Sequence, residues 1–300
     1  MNIRRWWRIL KQAVSAWSED FAPSMGAALS YYMLFSIAPL LIIVIAMAGF
    51  FFGAQAVHGE VFAQLSGLMG EEGARAIEAL LKSTSQPKEG AIATIASVLV
   101  LLLGATTALA ELQSDLDRIW RAPVDAKIGS VWKFLRARLL SVAMILSIAL
   151  LLMVSLVMSA AMAALGKWWG PWFIGWELLA HVLHLALSFG LATLLFAMIY
   201  KIIPRVRIDW RDVWVGAAVT ALLFAIGKVL IGLYLGKSGV TSGFGAAGSL
   251  VLVMVWVYYS AQIFLIGAEF TWVYAHEYGS RRGLDRPSGP GRGTSEPRGN

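Results

Sequence analysis

The chain has 300 residues, 58% of them hydrophobic and only 14% charged, and it contains no cysteine. A soluble domain carries about 25% charged residues, so an ordinary water-soluble enzyme is excluded. Disorder over most of the chain, disulfide frameworks and thiolate metal sites are excluded as well. A net charge of +7 would suggest nucleic acid in a soluble protein; here the placement of the basic residues assigns it to membrane topology.

Residues 3–17 set Ile3, Trp6, Trp7, Leu10, Val14 and Trp17 at helical spacing, with Arg4, Arg5, Arg8 and Lys11 between them. That pattern predicts an amphipathic helix at the lipid interface. Pro23 marks the approach to a first apolar run, 27–52, which is too long for a cleavable leader and reads as an uncleaved span. Pro39 inside it frees the Phe35 carbonyl and should kink the helix. Residues 53–90 read as a helical hairpin: one helix carrying Val57, Val61, Leu65 and Leu68, a break at Gly70, then a second opening on Glu71 and Glu72. A second span is predicted at 91–110, where Thr106 and Thr107 can bond backward along their own helix. ELQSDLDRIW continues it beyond the lipid to a break at Pro123. Ile128, Val131, Trp132 and Leu135 then mark another amphipathic helix. A third span follows at 139–165, an aromatic belt at 166–177, a fourth span at 178–203 and a fifth at 213–235. Residues 236–248 are Gly-rich and read as a flexible turn, the alternative being a loop that re-enters the membrane with its backbone surrounded by protein or water. The sixth span is predicted at 249–275, and 279–300 as a disordered basic tail.

A hydrocarbon core of about 30 Å needs about 20 apolar residues at 1.5 Å each. Six runs meet that requirement, and they are continuous rather than alternating, so helices rather than a barrel are expected. The predicted fold is all-α: residues 1–278 form a polytopic domain of six transmembrane helices with short interfacial amphipathic helices. Nineteen of the 25 basic residues lie in 1–26, 111–138, 201–212 and the tail. The positive-inside rule therefore places both termini in the cytoplasm. The same surfaces should meet anionic lipid, and no nucleic acid is needed.

Polar residues inside apolar runs are costly and so informative. Lys228 lies in the fifth span beside Ala218, Ala221, Ala225, Gly232 and Gly236, a small-residue stripe of the kind that packs helices. Such a stripe turns Lys228 toward the bundle or a wet cavity; snorkelling outward is the competing reading. In the sixth span Tyr258, Gln262 and Glu269 share one helical face. By depth, two candidate polar clusters emerge. Ser30, Tyr31, Tyr32, Glu111, Arg205, Gln262 and Glu269 fall on the cytoplasmic side, and His181, His184, Ser188 and Lys228 on the outer side. Two such clusters fit the ends of an alternating-access path, and equally ordinary structural networks near each interface.

The chain has only four histidines, His58, His181, His184 and His276. No zincin helix, phosphate loop or nucleophile elbow is present. No catalytic, metal or cofactor site is therefore expected, and no enzymatic activity. A membrane enzyme acting on lipid head groups, with Glu111 or Glu269 as base, is the least favoured reading.

APSMGAALSYYMLFSIAPLL, AELQSDLDRIWRAP, YKIIPRVRIDWRDVWVGAAVTALLF and VWVYYSAQIFLIGAEF together resemble motifs of the YihY/BrkB family of bacterial inner-membrane proteins, over about residues 5–278. The resemblance implies six transmembrane helices and an inner-membrane location. It puts Ser30, Tyr31, Pro39, Pro204, Gly267 and Glu269 in recognisable motifs, and it supplies no agreed activity. A ribonuclease BN label attached to some members does not suit this chain, since four scattered histidines cannot build a zinc hydrolase site. The leading expectation is a translocator of a lipid-like or amphiphilic envelope component or a small solute. The alternative is a non-transporting scaffold for envelope assembly, and a protein partner or a second copy of the chain fits either.

Overall fold

The computed structural model describes residues 3–52, 54–85, 107–123, 176–237 and 248–282, and among them all regular structure is helical. In chain order the helices are α1 (Ile3–Glu19), α2 (Ala22–Phe52), α3 (Ala54–Ser85), α4 (residues 107–119), α5 (Trp176–Ile202), α6 (Trp210–Lys237) and α7 (Gly248–Glu277). Among the described residues, Leu185–Ile202, Trp210–Tyr234 and Leu250–Glu277 are long and apolar enough to cross a membrane. Residues 91–106 of the second predicted span (91–110), the amphipathic helix predicted around Ile128, Val131, Trp132 and Leu135, the third span at 139–165, the aromatic belt up to Gly175, the Gly-rich turn from Ser238 to Ala247 and the tail from Gly283 lie outside the described residues.

α7 is the central element. It packs against α1, α2, α3 and α6, while α5 packs against α6. The main apolar core joins Ile9 and Ala13 of α1, Leu112, Leu116 and Ile119 of α4, Tyr200 of α5, Val213 and Ala217 of α6, and Leu265 and Val273 of α7. A second cluster joins Leu41 of α2, Ala76, Ile77 and Leu81 of α3, and Val253 and Val257 of α7.

One local expectation changes. The hairpin predicted over 53–90 is instead one helix, α3, which runs through Gly70. A single glycine costs a helix only about 1 kcal/mol relative to alanine. Val61 and Leu65 before it, and Ile77 and Leu81 after it, belong to the same packed cluster, and that shared burial outweighs the cost. α2 continues as a helix through Pro39, the position of the expected kink.

α6 and α7 run antiparallel at close range. A Cβ built on Gly216 would stand 1.8 Å from Thr271 Oγ1, and one built on Gly267 would stand 2.0 Å from Thr220 Oγ1. Each glycine thus receives the threonine of the other helix. Further along, Gly227 abuts Ile263 and Tyr259. The contact face of α6 is therefore Gly216, Thr220 and Gly227, with buried Ala217 and Ala221 beside it. The predicted stripe shares only Ala221 with the buried set: Ala218 and Ala225 are half-buried, and a Cβ on Gly232 would meet nothing within 4 Å. Near the two ends of α6, Trp214 is 44% and Tyr234 59% exposed. Twenty residues at 1.5 Å separate them by about 30 Å, the thickness of a hydrocarbon core with an aromatic at each edge.

Two non-glycine residues adopt the left-handed region, Phe21 (φ 59°) and Arg121 (φ 49°). Phe21 turns the chain between α1 and α2, with Pro23 in the first turn of α2, where no amide donor is needed. Arg121 closes α4: Ala122 N–H donates to the Asp117 carbonyl at 2.8 Å and Arg121 N–H to the Arg118 carbonyl at 3.0 Å. This is the pattern that normally recruits glycine.

Candidate functional site

Gln262 and Glu269 of α7 lie near the α1–α2 corner, whereas Tyr258, expected on the same face, is exposed. Trp17 Nε1–H donates to Gln262 Oε1 at 3.1 Å, and the Gln262 amide donates a long bond, 3.5 Å, to the Ala22 carbonyl. The close approach requires glycine opposite: a Cβ on Gly26 would lie 2.0 Å from Gln262 Nε2. Seven residues on, two helical turns along the same face, Glu269 is 1% exposed. Its Oε1 is buried without a hydrogen-bond partner. The charged groups acting on this carboxyl are Asp20 and Glu19 from the α1–α2 corner and Arg121 from the end of α4. The Arg121 guanidinium lies over the Trp272 ring, 5.0 Å from its centroid. Its strained backbone thus aims a cation at α7 one turn from Glu269.

Around this centre the helix ends are fastened by polar clasps. Asp212, in the first turn of α6, is buried and accepts from Ser280 N–H at 3.0 Å and Ser280 Oγ at 2.7 Å, tying the end of α7 to the start of α6. Asp117 accepts from the Arg205 backbone N–H at 2.8 Å and pairs with its guanidinium at 3.3 Å. Gln113 Nε2 donates to the Ile203 carbonyl at 3.0 Å. Lys201 donates to the Ile208 carbonyl and lies over the Trp210 ring. Arg118 lies over Phe21 and Arg281 over Trp120. Deeper in the bundle, Tyr200 OH donates to the Phe264 carbonyl at 2.8 Å and stands 3.1 Å from Thr220 Oγ1.

Of the residues predicted for the cytoplasmic-side cluster, Gln262 and Glu269 share this face. Arg205 is drawn to Asp117 on α4. Ser30 is buried but bonds the Ala27 carbonyl of its own helix at 2.8 Å. Tyr31 is exposed, its ring edge-on to Tyr32 and Phe35. Glu111 is half-buried on α4, one turn before Asp115. Of the outer-side set, Ser188 is exposed and Lys228 is half-buried; the side chains of His181 and His184 lie outside the described ones. Gly227 lies against Tyr259, so Lys228 stands about 15 Å of helical rise from Glu269.

Sequence reasoning misses the residues that complete the face, Trp17, Asp20 and Arg121, and it misses Asp115. The Asp115 side chain is 4% exposed and its Oδ2 has no hydrogen-bond partner. Burial, then the nearby Glu111 carboxylate, push its carboxyl up to about 7, against the opposing pull of Arg118. A signal for Asp115 is present: it stands three residues from both Leu112 and the Arg118 turn, on the apolar face of α4. Among the described residues, no three of His, Asp and Glu approach closely enough to hold a metal ion.

A family model described as "Virulence factor BrkB" matches residues 13–292. The chain belongs to the BrkB family. A UPF0761 membrane protein of Pseudomonas aeruginosa (strain LESB58) is 30% identical to this BrkB-family chain over 258 residues, covering 83% of the chain and 58% of the relative. A UPF0761 membrane protein of Tolumonas auensis is 34% identical over 106 residues, 32% of this chain and 35% of that protein. The UPF0761 membrane protein YihY of Salmonella typhimurium is 32% identical over 155 residues, 49% of this chain and 52% of YihY. The chain thus spans little more than half the length of the Pseudomonas relative. No solved structure matches it. Apolar helices and these relatives together make it a membrane protein of the BrkB/UPF0761 family.

Proposed function

We propose that this BrkB-family protein crosses the bacterial inner membrane six times, with both termini in the cytoplasm, and moves an amphiphilic envelope component or a small solute across it. One observation carries the reading: the Gln262–Glu269 face lies inside the helix bundle, on a helix apolar enough to span the bilayer. An ionisable group buried in a spanning helix is expensive, and such groups commonly mark a pathway. The sparse charge within the apolar helices and the amphipathic α1 favour a greasy cargo over an inorganic ion. No nucleotide-binding motif is present in the sequence, so the movement draws on a gradient or a partner protein. The basic residues at the α4, α6 and α7 ends supply the cytoplasmic bias and a surface for anionic lipid.

Proteoliposomes holding the purified protein, loaded with dye-labelled phospholipid or with small solutes, test the reading. Flux above empty vesicles is expected for an amphiphilic cargo, with a loss of about tenfold or more in Glu269→Gln combined with Lys228→Met. Equal flux in that variant removes both residues from the pathway. The tight Gly–Thr seam between α6 and α7 favours a second reading, a rigid scaffold that docks envelope-assembly proteins. Absence of flux for every cargo, together with a stoichiometric copurifying partner, supports the scaffold instead.

A further inference from the structure

We infer that Glu269, set against Asp20 and Glu19, is a binding site for one proton that drives the movement proposed above. This inference rests on that reading and names its energy source. Two carboxyl groups, of Asp20 and Glu19, and a single guanidinium, that of Arg121, act on the Glu269 carboxyl. The Glu269 side chain is almost wholly removed from solvent and its Oε1 has no donor. Within low-dielectric surroundings an excess of negative charge attracts a positive one from solution, and an orphan acceptor attracts a donor. Of the other acids at this end, Asp212 is committed to Ser280 and Asp117 to Arg205, while Asp115, also unpartnered at Oδ2, has Glu111 and Arg118 as its charged neighbours. Glu19 also accepts from Ser15 Oγ at 3.0 Å, which leaves the Glu269–Asp20 pair as the place for the incoming charge.

The geometry selects a proton over a metal cation. A sodium or divalent ion takes several oxygen ligands at once, and no such group of side chains exists among the described residues. A proton needs only two oxygens. Access is short: Thr271 faces Gly216, so Glu269 lies about four residues, or about 6 Å, inside the level of Trp214. Arg121, held over Trp272, is positioned to take the bared carboxylate once the proton leaves.

The full-length protein, purified in detergent and checked for monodisperse elution, is stepped between acid and alkaline buffer while carboxyl infrared bands are recorded. The expected result is a protonated-carboxyl band that appears with acid, is lost in Glu269→Gln and is displaced in Asp20→Asn. Sodium steps at fixed pH should leave it unchanged. In proteoliposomes, one proton per cargo changes accumulation about tenfold per unit of pH gradient. An identical band in Glu269→Gln, or a response to sodium instead, overturns the site. A band that behaves as expected without any flux keeps the proton site and refutes transport. Flux indifferent to the pH gradient, with the band unaltered in both variants, keeps transport and refutes the proton site.

Discussion

The Gly–Thr seam between α6 and α7 gives the sharpest test of the fold. In Gly216→Ala the new methyl would stand 1.8 Å from Thr271 Oγ1, 2.7 Å from its Cβ and 2.8 Å from its Cγ2. Ordinary carbon contacts lie near 3.5–4.0 Å, so the helices must part locally by roughly 1.5 Å or Thr271 must turn away. Turning is blocked: Thr271 is fully buried, and its Oγ1–H donates to the Gly267 carbonyl at 2.7 Å. Parting the helices also loosens Thr220 in the reciprocal notch at Gly267. Overpacking of this kind costs about 1–3 kcal/mol, and the doubled contact places Gly216→Ala at the upper end. Reversible unfolding of the purified protein in mixed micelles, followed by circular dichroism, measures it. Combining Gly216→Ala with Thr271→Gly removes the Cβ, Oγ1 and Cγ2 atoms that the new methyl strikes. That pair should recover most of the loss, short of about 1 kcal/mol for glycine inside a helix. Gly232→Ala, where the methyl meets open space, is the control and should not destabilise. If Gly216→Ala unfolds like the parent, or if Thr271→Gly brings no recovery, the proposed register of the two helices is wrong.

Three further outcomes are expected. Tyr200→Phe removes a buried hydroxyl that serves both the Phe264 carbonyl and Thr220; it should cost about 1–2 kcal/mol in the same unfolding assay. Asp115 holds its proton up to about pH 7 in the fold against 3.8 unperturbed. Between those values the unfolded chain has released a proton that the folded chain keeps, so stability falls as pH rises across that window and levels off above it. Asp115→Asn should flatten this component of the pH profile in a denaturation series and be the more stable protein on the alkaline side. Arg121→Gly relieves the left-handed backbone while Arg121→Ala keeps it, and both lose the ring contact with Trp272. The glycine variant should be the more stable by about 1 kcal/mol, and equal midpoints for the two would show that the backbone is unstrained.

Helices α2, α5, α6 and α7 are legible in the sequence because twenty or more largely uncharged apolar residues leave the chain few alternatives in lipid. α3 departs from the expected hairpin because glycine is a weak stop: Val61, Leu65, Ile77 and Leu81 continue one packed face across Gly70. Gln262 and Glu269 stand out as rare polar residues on an apolar helix. Their partners do not: Trp17 and Asp20 are some 250 residues distant in the chain, and no local period carries that pairing. Depth alone groups Arg205 with Glu269. The turn after Pro204 instead presents both its backbone N–H and its guanidinium to Asp117. Small residues on α6 are visible as a class, but which of them meets α7 depends on helix rotation, and that is set by the matching threonines across the seam.

Those threonines also limit how the bundle can move. Sliding α6 by one turn in one direction would bring Thr220 onto Thr271, bulk against bulk. Sliding it the other way would leave Gly216 against Gly267, with nothing to fill the gap. The two helices therefore behave as a single mast without a ratchet, and any opening of the bundle falls to neighbours that pivot around it.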